Sequence, residues 1–141
     1  MRIVIVEDDA LQLSIITEWV SELFGCEITS YDNGPSFRDG ELSGNKAAPE
    51  VILMDFYLGN GAGDTGADLV NAIRSAEGPI AGAGIIMTSG VSAKSLARAT
   101  QDLAIDGFLL KDQISRESLG IAIRIAQRLQ KERLVCAYSR C

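Results

Sequence analysis

The sequence predicts an α/β fold with a doubly wound parallel sheet, and three observations predict it. Five short apolar runs recur along the chain, stretches of helical periodicity separate them, and polar residues follow most of the runs. Strands alternating with helices form parallel sheets covered on both faces. Right-handed crossovers then leave the doubly wound arrangement as the simplest topology.

The expected strands are Ile3–Val6, Glu27–Tyr31, Val51–Met54, Gly84–Thr88 and Gly107–Leu110. Between the first two, Leu11, Ile15, Ile16, Trp19, Val20 and Leu23 form an apolar stripe at helical spacing. Leu69, Val70 and Ile73 make a shorter stripe, and Leu96, Ala97, Thr100 and Leu103 another. The last helix is expected to begin near Ser115 as its N-cap, with Glu117 favourable in the first turn. Its apolar positions are Leu119, Ala122, Ile123, Ala126 and Leu129. The stretch "DNGPSFRDGELSGNKAAP" is the weakest helix candidate, because Gly and Pro interrupt it. The reading is one domain over 1–134, with 135–141 as a C-terminal tail or the start of a linker.

Composition removes several function classes. The 141 residues carry a net charge of −6, against binding of nucleic acid or anionic lipid through clustered Lys and Arg. No apolar run approaches the length of a membrane span, and "IVIV" follows Met1-Arg2 directly, without a signal-peptide pattern. The expectation is a cytoplasmic protein. Cys26, Cys136 and Cys141 are odd in number and lack C-x-x-C spacing, so reduced thiols are expected. The chain has no histidine, which rules out Ser-His-Asp and Cys-His catalysis within it.

Open α/β sheets bind ligands beyond the carboxyl ends of their strands. Glu7, Asp8 and Asp9 follow the first strand, Asp55 the third, Ser89 the fourth and Lys111 the fifth. Each alone has an ordinary explanation, a helix cap, a turn or a solvated charge. Asp55 is harder to dismiss, because four apolar residues precede it. Together the groups converge on one edge. Clustered carboxylates repel one another and invite a divalent cation, and an oxygen-only ligand set favours Mg²⁺. A carboxylate can also act as a nucleophile and form an aspartyl phosphate. Asp55 is the expected phosphoacceptor, with the Lys111 ammonium and the Ser89 hydroxyl facing phosphoryl oxygens.

"IVIVEDDA", "VILMDFYLG", "IIMTSG" and "GFLLKD", in that order and each at a strand, resemble the receiver domain of two-component response regulators. The resemblance covers Arg2 to about Leu129. It implies a flavodoxin-like five-stranded sheet of order 2-1-3-4-5, a topology the receiver family exemplifies. It further implies an acidic pair at Glu7 and Asp8, with Asp8 a direct metal ligand and Asp9 left to the helix start. Asp55 matches the phosphorylated aspartate, and Tyr57 falls where a main-chain carbonyl binds Mg²⁺. Ser89 matches the hydroxyl switch residue, Lys111 the invariant lysine, and Phe108 the aromatic that changes rotamer. Tyr57 and Val91 fall at the rim positions that tune dephosphorylation.

The implied function is a signalling switch, not a classical enzyme, that catalyses only its own phosphotransfer and autodephosphorylation. The implied donor is a sensor histidine kinase or a phosphotransfer protein. Output would pass to a downstream protein partner or to an effector domain outside this chain, without direct contact to nucleic acid or membrane. The resemblance leaves room for a phosphorylation-dependent homodimer. Two departures stand out. Gly59 replaces the usual Pro in a longer, glycine-rich loop, and Asp112 replaces the Pro that usually follows the lysine. An aspartate-nucleophile phosphatase would need a second aspartate two residues after the first, where Tyr57 stands. A nucleotide or flavin binder would need a Gly-rich phosphate loop after the first strand, where acidic residues stand.

Overall fold

A computed structural model describes residues 1–58, 65–90, 97, 98 and 100–139, of which 138 and 139 as backbone only. Its elements are β1 (Arg2–Val6), α1 (Ala10–Phe24), β2 (Glu27–Tyr31), α2 (Gly34–Glu41) and β3 (Val51–Asp55), followed by α3 (Gly66–Ser75), β4 (Gly84–Ser89), β5 (Gly107–Leu110) and α4 (Arg116–Ser139). The five strands form one parallel sheet of order β2-β1-β3-β4-β5, the flavodoxin-like order. β1 and β3 sit in the middle, so they carry apolar residues on both faces.

Alternation along the strands sorts the core into two halves. Val4, Val6, Ile52, Met54, Ile85 and Met87 face Phe37 of α2 and Leu69, Val70 and Ile73 of α3. Ile3, Ile5, Val51, Leu53 and Ile86 face Ile16 and Val20 of α1 and Leu119, Ile123 and Ala126 of α4. Every residue of β3 is buried. At about 1.5–3 kcal/mol for each large apolar side chain removed from water, this strand is a firm platform for a functional group at its end.

Local signals set the helix ends. Asp9 caps α1, its carboxylate accepting from the amides of Leu11 and Gln12 at 2.9 and 3.1 Å. Gly25 closes that helix at φ 56°, a left-handed conformation that glycine adopts freely. Ser115 caps α4: its hydroxyl accepts from the Ser118 amide at 3.0 Å, and the Ser118 hydroxyl accepts from the Ser115 amide at 2.9 Å.

The elements depart from expectation at Leu11 and over Leu96–Leu103. Leu11 does not join the buried stripe of α1 but is 72% exposed, because the face turned to the sheet is the one bearing Leu13, Ile16 and Val20, and a residue two positions from Leu13 lies on the other side of the helix. The glycine- and proline-rich stretch does form a helix, α2. The Asn33 side chain caps it, Pro35 falls in its first turn where no amide donor is needed, and fully buried Phe37 anchors it. Of the helix expected over Leu96–Leu103, Ala97, Arg98 and Thr100 are helical; Thr100 is buried, Ala97 is exposed, and Leu96 lies outside the described residues. Helix α4 continues past Leu134 to Ser139. Arg133 accounts for part of that length, pinning the helix to Gly82, Ala83 and Asp106.

Candidate functional site

The apolar run of β3 ends by placing Asp55 beside Thr88 of β4. Asp55 is 2% exposed, and its neighbour across β1, Glu7, is equally buried. Lys111, one residue beyond β5, reaches back over the edge. Its Nζ donates to Asp55 Oδ2 at 3.0 Å and to Glu7 Oε2 at 3.2 Å. Glu7 Oε1 is also 3.0 Å from the ammonium, but the angle makes no hydrogen bond, and this buried oxygen is otherwise unpartnered.

Two buried carboxylates thus share one ammonium. Burial pushes the Asp55 carboxyl up to about 8, and the hydrogen bond and charge of Glu7 push the same way against the opposing pull of Lys111. Burial alone would lower the Lys111 ammonium, but its bonds to Glu7 and Asp55 outweigh that and hold it above its ordinary value. The cluster is short of positive charge. Asp8, exposed at the same edge, completes it: one oxygen from each of Glu7, Asp8 and Asp55 lies within 4.8 Å of the others. A three-carboxylate set without nitrogen or sulfur suits a hard cation such as Mg²⁺.

Main-chain bonds hold the frame. The Phe56 amide donates to the Thr88 carbonyl at 2.8 Å, and the Lys111 amide to the Ser89 carbonyl at 2.7 Å. The Tyr57 amide points at Asp55 Oδ1 at 3.3 Å, while the Tyr57 ring is more than half exposed. Asp9 turns away to cap α1, and its amide donates to Glu7 Oε2 at 3.2 Å. Ser89 is fully buried at the end of β4, whereas Phe108 on β5 is 45% exposed. The Lys111–Asp112 peptide is trans, as are all peptide bonds among the described residues. Val91 lies outside the described residues.

Sequence reasoning paired Lys111 with an incoming phosphoryl group and missed its pairing with Glu7. It also missed Gly66, which opens α3 against the Asp55 main chain. A signal for that helix start was present: Thr65 and Asp68 form a capping box, the T-x-x-D pattern ahead of the apolar run at Leu69 and Val70.

A buried carboxylate flanked by an ammonium and further carboxylates, on the carboxyl edge of such a sheet, defines a class of phosphoryl- and metal-handling sites. The family model for the response regulator receiver domain matches residues 3–124, and the chain belongs to that family. The receiver domain is a signalling domain of two-component systems, not a classical enzyme. The fold is similar to that of the N-terminal domain of a response regulator/sensory box/GGDEF three-domain protein from Carboxydothermus hydrogenoformans, at 21% identity and a TM-score of 0.76, over 95% of this chain and 99% of that one. It is similar to the receiver domain of a sensor histidine kinase from Pseudomonas aeruginosa, which has a magnesium ion coordinated in its active-site cleft. That match has 23% identity and a TM-score of 0.72, over 92% and 97% of the two chains. A CheY-like receiver domain protein from Methanospirillum hungatei matches at 19% identity and a TM-score of 0.76, over 94% and 97%. Comparison with curated proteins returns no match. Among the described residues, no helix is long and apolar enough to cross a membrane.

Proposed function

We propose that this chain is a phosphorylation-controlled switch whose acceptor is Asp55. The observation that carries the proposal is the buried Asp55 carboxylate, 3.0 Å from the Lys111 ammonium and gathered with Glu7 and Asp8. An Asp55 oxygen attacks the phosphorus of a phosphohistidine on a sensor kinase or phosphotransfer protein. The new O–P bond forms as the N–P bond breaks, and the electron pair returns to the imidazole nitrogen. Lys111 and the Ser89 hydroxyl face the phosphoryl oxygens and offset their charge.

Glu7, Asp8, Asp55 and the Tyr57 main-chain carbonyl are the groups that would hold Mg²⁺. Glu7 Oε1, which is buried and makes no hydrogen bond, and the elevated Asp55 fit that role. Bound Mg²⁺ supplies the positive charge that keeps Asp55 ionised near neutral pH. Once phosphorylated, the site draws the Ser89 hydroxyl inward and lets Phe108 turn, a population shift between two states. Tyr57 and Val91 govern the approach of hydrolytic water and so the autodephosphorylation rate.

Output passes through protein contacts, to a separate partner, an effector domain outside this chain or a second phosphorylated copy. The receiver unit spans 1–134, with 135–141 as a C-terminal tail or the start of a linker, and a reducing cytoplasmic setting suits the free Cys26 and Cys136. Incubation with acetyl phosphate and Mg²⁺, followed by intact mass, tests the assignment. Wild type should gain one phosphoryl group and Asp55→Asn none; equal gain in both would refute it.

A further inference from the structure

Gly66, the first residue of α3, lies directly against the main chain of Asp55. A Cβ on Gly66 would stand 2.3 Å from the Asp55 carbonyl oxygen, 2.9 Å from Phe56 Cα and 3.1 Å from the Asp55 carbonyl carbon. All three atoms are backbone, so nothing there can rotate away. Gly66 is not among the glycines with left-handed φ. Space, and not torsional freedom, is what excludes a side chain.

The contact is held from both directions. The Gly66 amide donates to the Phe56 carbonyl at 2.9 Å, while the Phe56 amide donates to the Thr88 carbonyl at 2.8 Å. The main chain of Phe56, next to Asp55, is therefore held from both sides, its amide on β4 and its carbonyl on α3. The capping box of Thr65 and Asp68, with bonds of 3.0 and 3.2 Å, fixes where α3 begins. The ends of the stretch between Phe56 and Gly66 meet at one hydrogen bond, so the length of that stretch does not set the position of Asp55.

We propose that Gly66 is a positioning residue for phosphoryl acceptance. Its lack of a side chain lets α3 close onto the Asp55–Phe56 main chain and hold the carboxylate in register with Glu7, Asp8 and Lys111. This inference rests on the reading of Asp55 as acceptor. A Cβ at Gly66 must push α3 away or displace Asp55, and displacement on the ångström scale costs about 10²-fold in a positioned reaction.

Gly84 provides a matched control. A Cβ there would stand 2.5 Å from the Ala126 carbonyl oxygen, a comparable backbone clash at the start of β4, on the opposite edge of the sheet. Gly66→Ala and Gly84→Ala, made in the full chain, are compared in sucrose, which favours the compact state. Trp19 fluorescence reports the folded fraction, and intact mass reports phosphate uptake from acetyl phosphate across a Mg²⁺ series. Normalised to folded protein, Gly66→Ala should lose about 10- to 100-fold in maximal uptake rate, whereas Gly84→Ala stays within about twofold of wild type. Equal rates in folded Gly66→Ala and wild type, or equal losses in the two variants, would overturn the inference.

Should Gly66→Ala fail to fold, Thr65→Ala decides. That exposed cap can be removed without adding bulk, and loosening it should slow uptake a few-fold; unchanged uptake then overturns the proposal. If wild type itself takes up no phosphate, the reading of Asp55 falls and this inference with it. Uptake by wild type and by folded Gly66→Ala alike removes the inference alone.

Discussion

Asp106→Asn should destabilise the protein by about 2–3 kcal/mol at neutral pH and loosen the outer half of α4. The Asp106 carboxylate lies under two guanidiniums at the amino edge of the sheet. Arg133 reaches both of its oxygens, at 2.9 and 2.7 Å, Arg74 reaches one at 3.2 Å, and the Ile85 amide donates to it at 2.9 Å. Removing one partner of a buried ion pair costs roughly 3–5 kcal/mol. Here the cost sits lower, because the Arg133 side chain is 36% exposed and water can solvate it, and because asparagine retains an acceptor for Ile85. In a chain of this size, that loss lowers Tm by roughly 6–12 °C.

The pH dependence has a definite sign. Burial raises the Asp106 carboxyl, but the bonds from Arg133 and Ile85 and the charge of Arg74 outweigh it, and the group ends below its ordinary value. A depressed folded-state value means that its stabilisation is complete above the unfolded value of about 3.9 and is lost as pH falls through the folded value. The gap between wild type and Asp106→Asn should therefore be flat from pH 5 to 7 and close below pH 4. Urea unfolding at each pH, read by circular dichroism, measures the gap, and hydrogen exchange over 128–137 reads the release of α4. A gap under about 0.5 kcal/mol at pH 7, within the range of ordinary surface substitutions, or one that widens on acidification, would refute the reasoning.

Mg²⁺ affinity should depend on Asp8 more than on Asp9, since Asp9→Asn leaves a competent helix cap and costs at most about 1 kcal/mol; equal loss in the two variants, titrated by Trp19 fluorescence, would overturn that distinction. Beryllofluoride, a phosphoryl mimic, should shift backbone NMR signals from Ser89 through Phe108, and shifts confined to residues just after Asp55 would count against a coupled switch. Tyr57→Asn combined with Val91→Glu should speed phosphate loss by about tenfold or more, as a newly positioned water allows. A decay course unchanged from wild type on a phosphate-affinity gel would sink the idea that these rim side chains exclude water.

Much of the architecture could be read from residue order alone, because it follows from local patterns. Short apolar runs and helical spacing marked the strands and most helices, to within a residue at Val51–Asp55 and Gly84–Ser89. Ser115 showed its capping role by type and position, whereas Asp9 was singled out as the cap over Asp8 only by the family resemblance. Polar residues after successive strands foretold one shared edge, since parallel strands all point the same way. Leu11 misled because apolar spacing allowed two stripes on α1, and packing chose the one through Leu13, Ile16 and Val20. Helix α2 was hard to see because its glycines argue against it locally, while burial of Phe37 decides for it.

The rest belongs to the tertiary structure. Lys111 meets Glu7 and Asp55 across 104 and 56 positions of chain, and no periodicity encodes which ammonium answers which carboxylate. The same holds for the pairing of Asp106 with Arg74 and Arg133, which ties α3, β5 and α4 together. Gly66 reads as one glycine among many until α3 is laid on β3, when the Asp55 carbonyl leaves no room for a Cβ. Sequence determined which groups reach the edge, through strand direction and local spacing. Only packing decided how far apart they stand, because those distances are set where elements remote in the chain are pressed together.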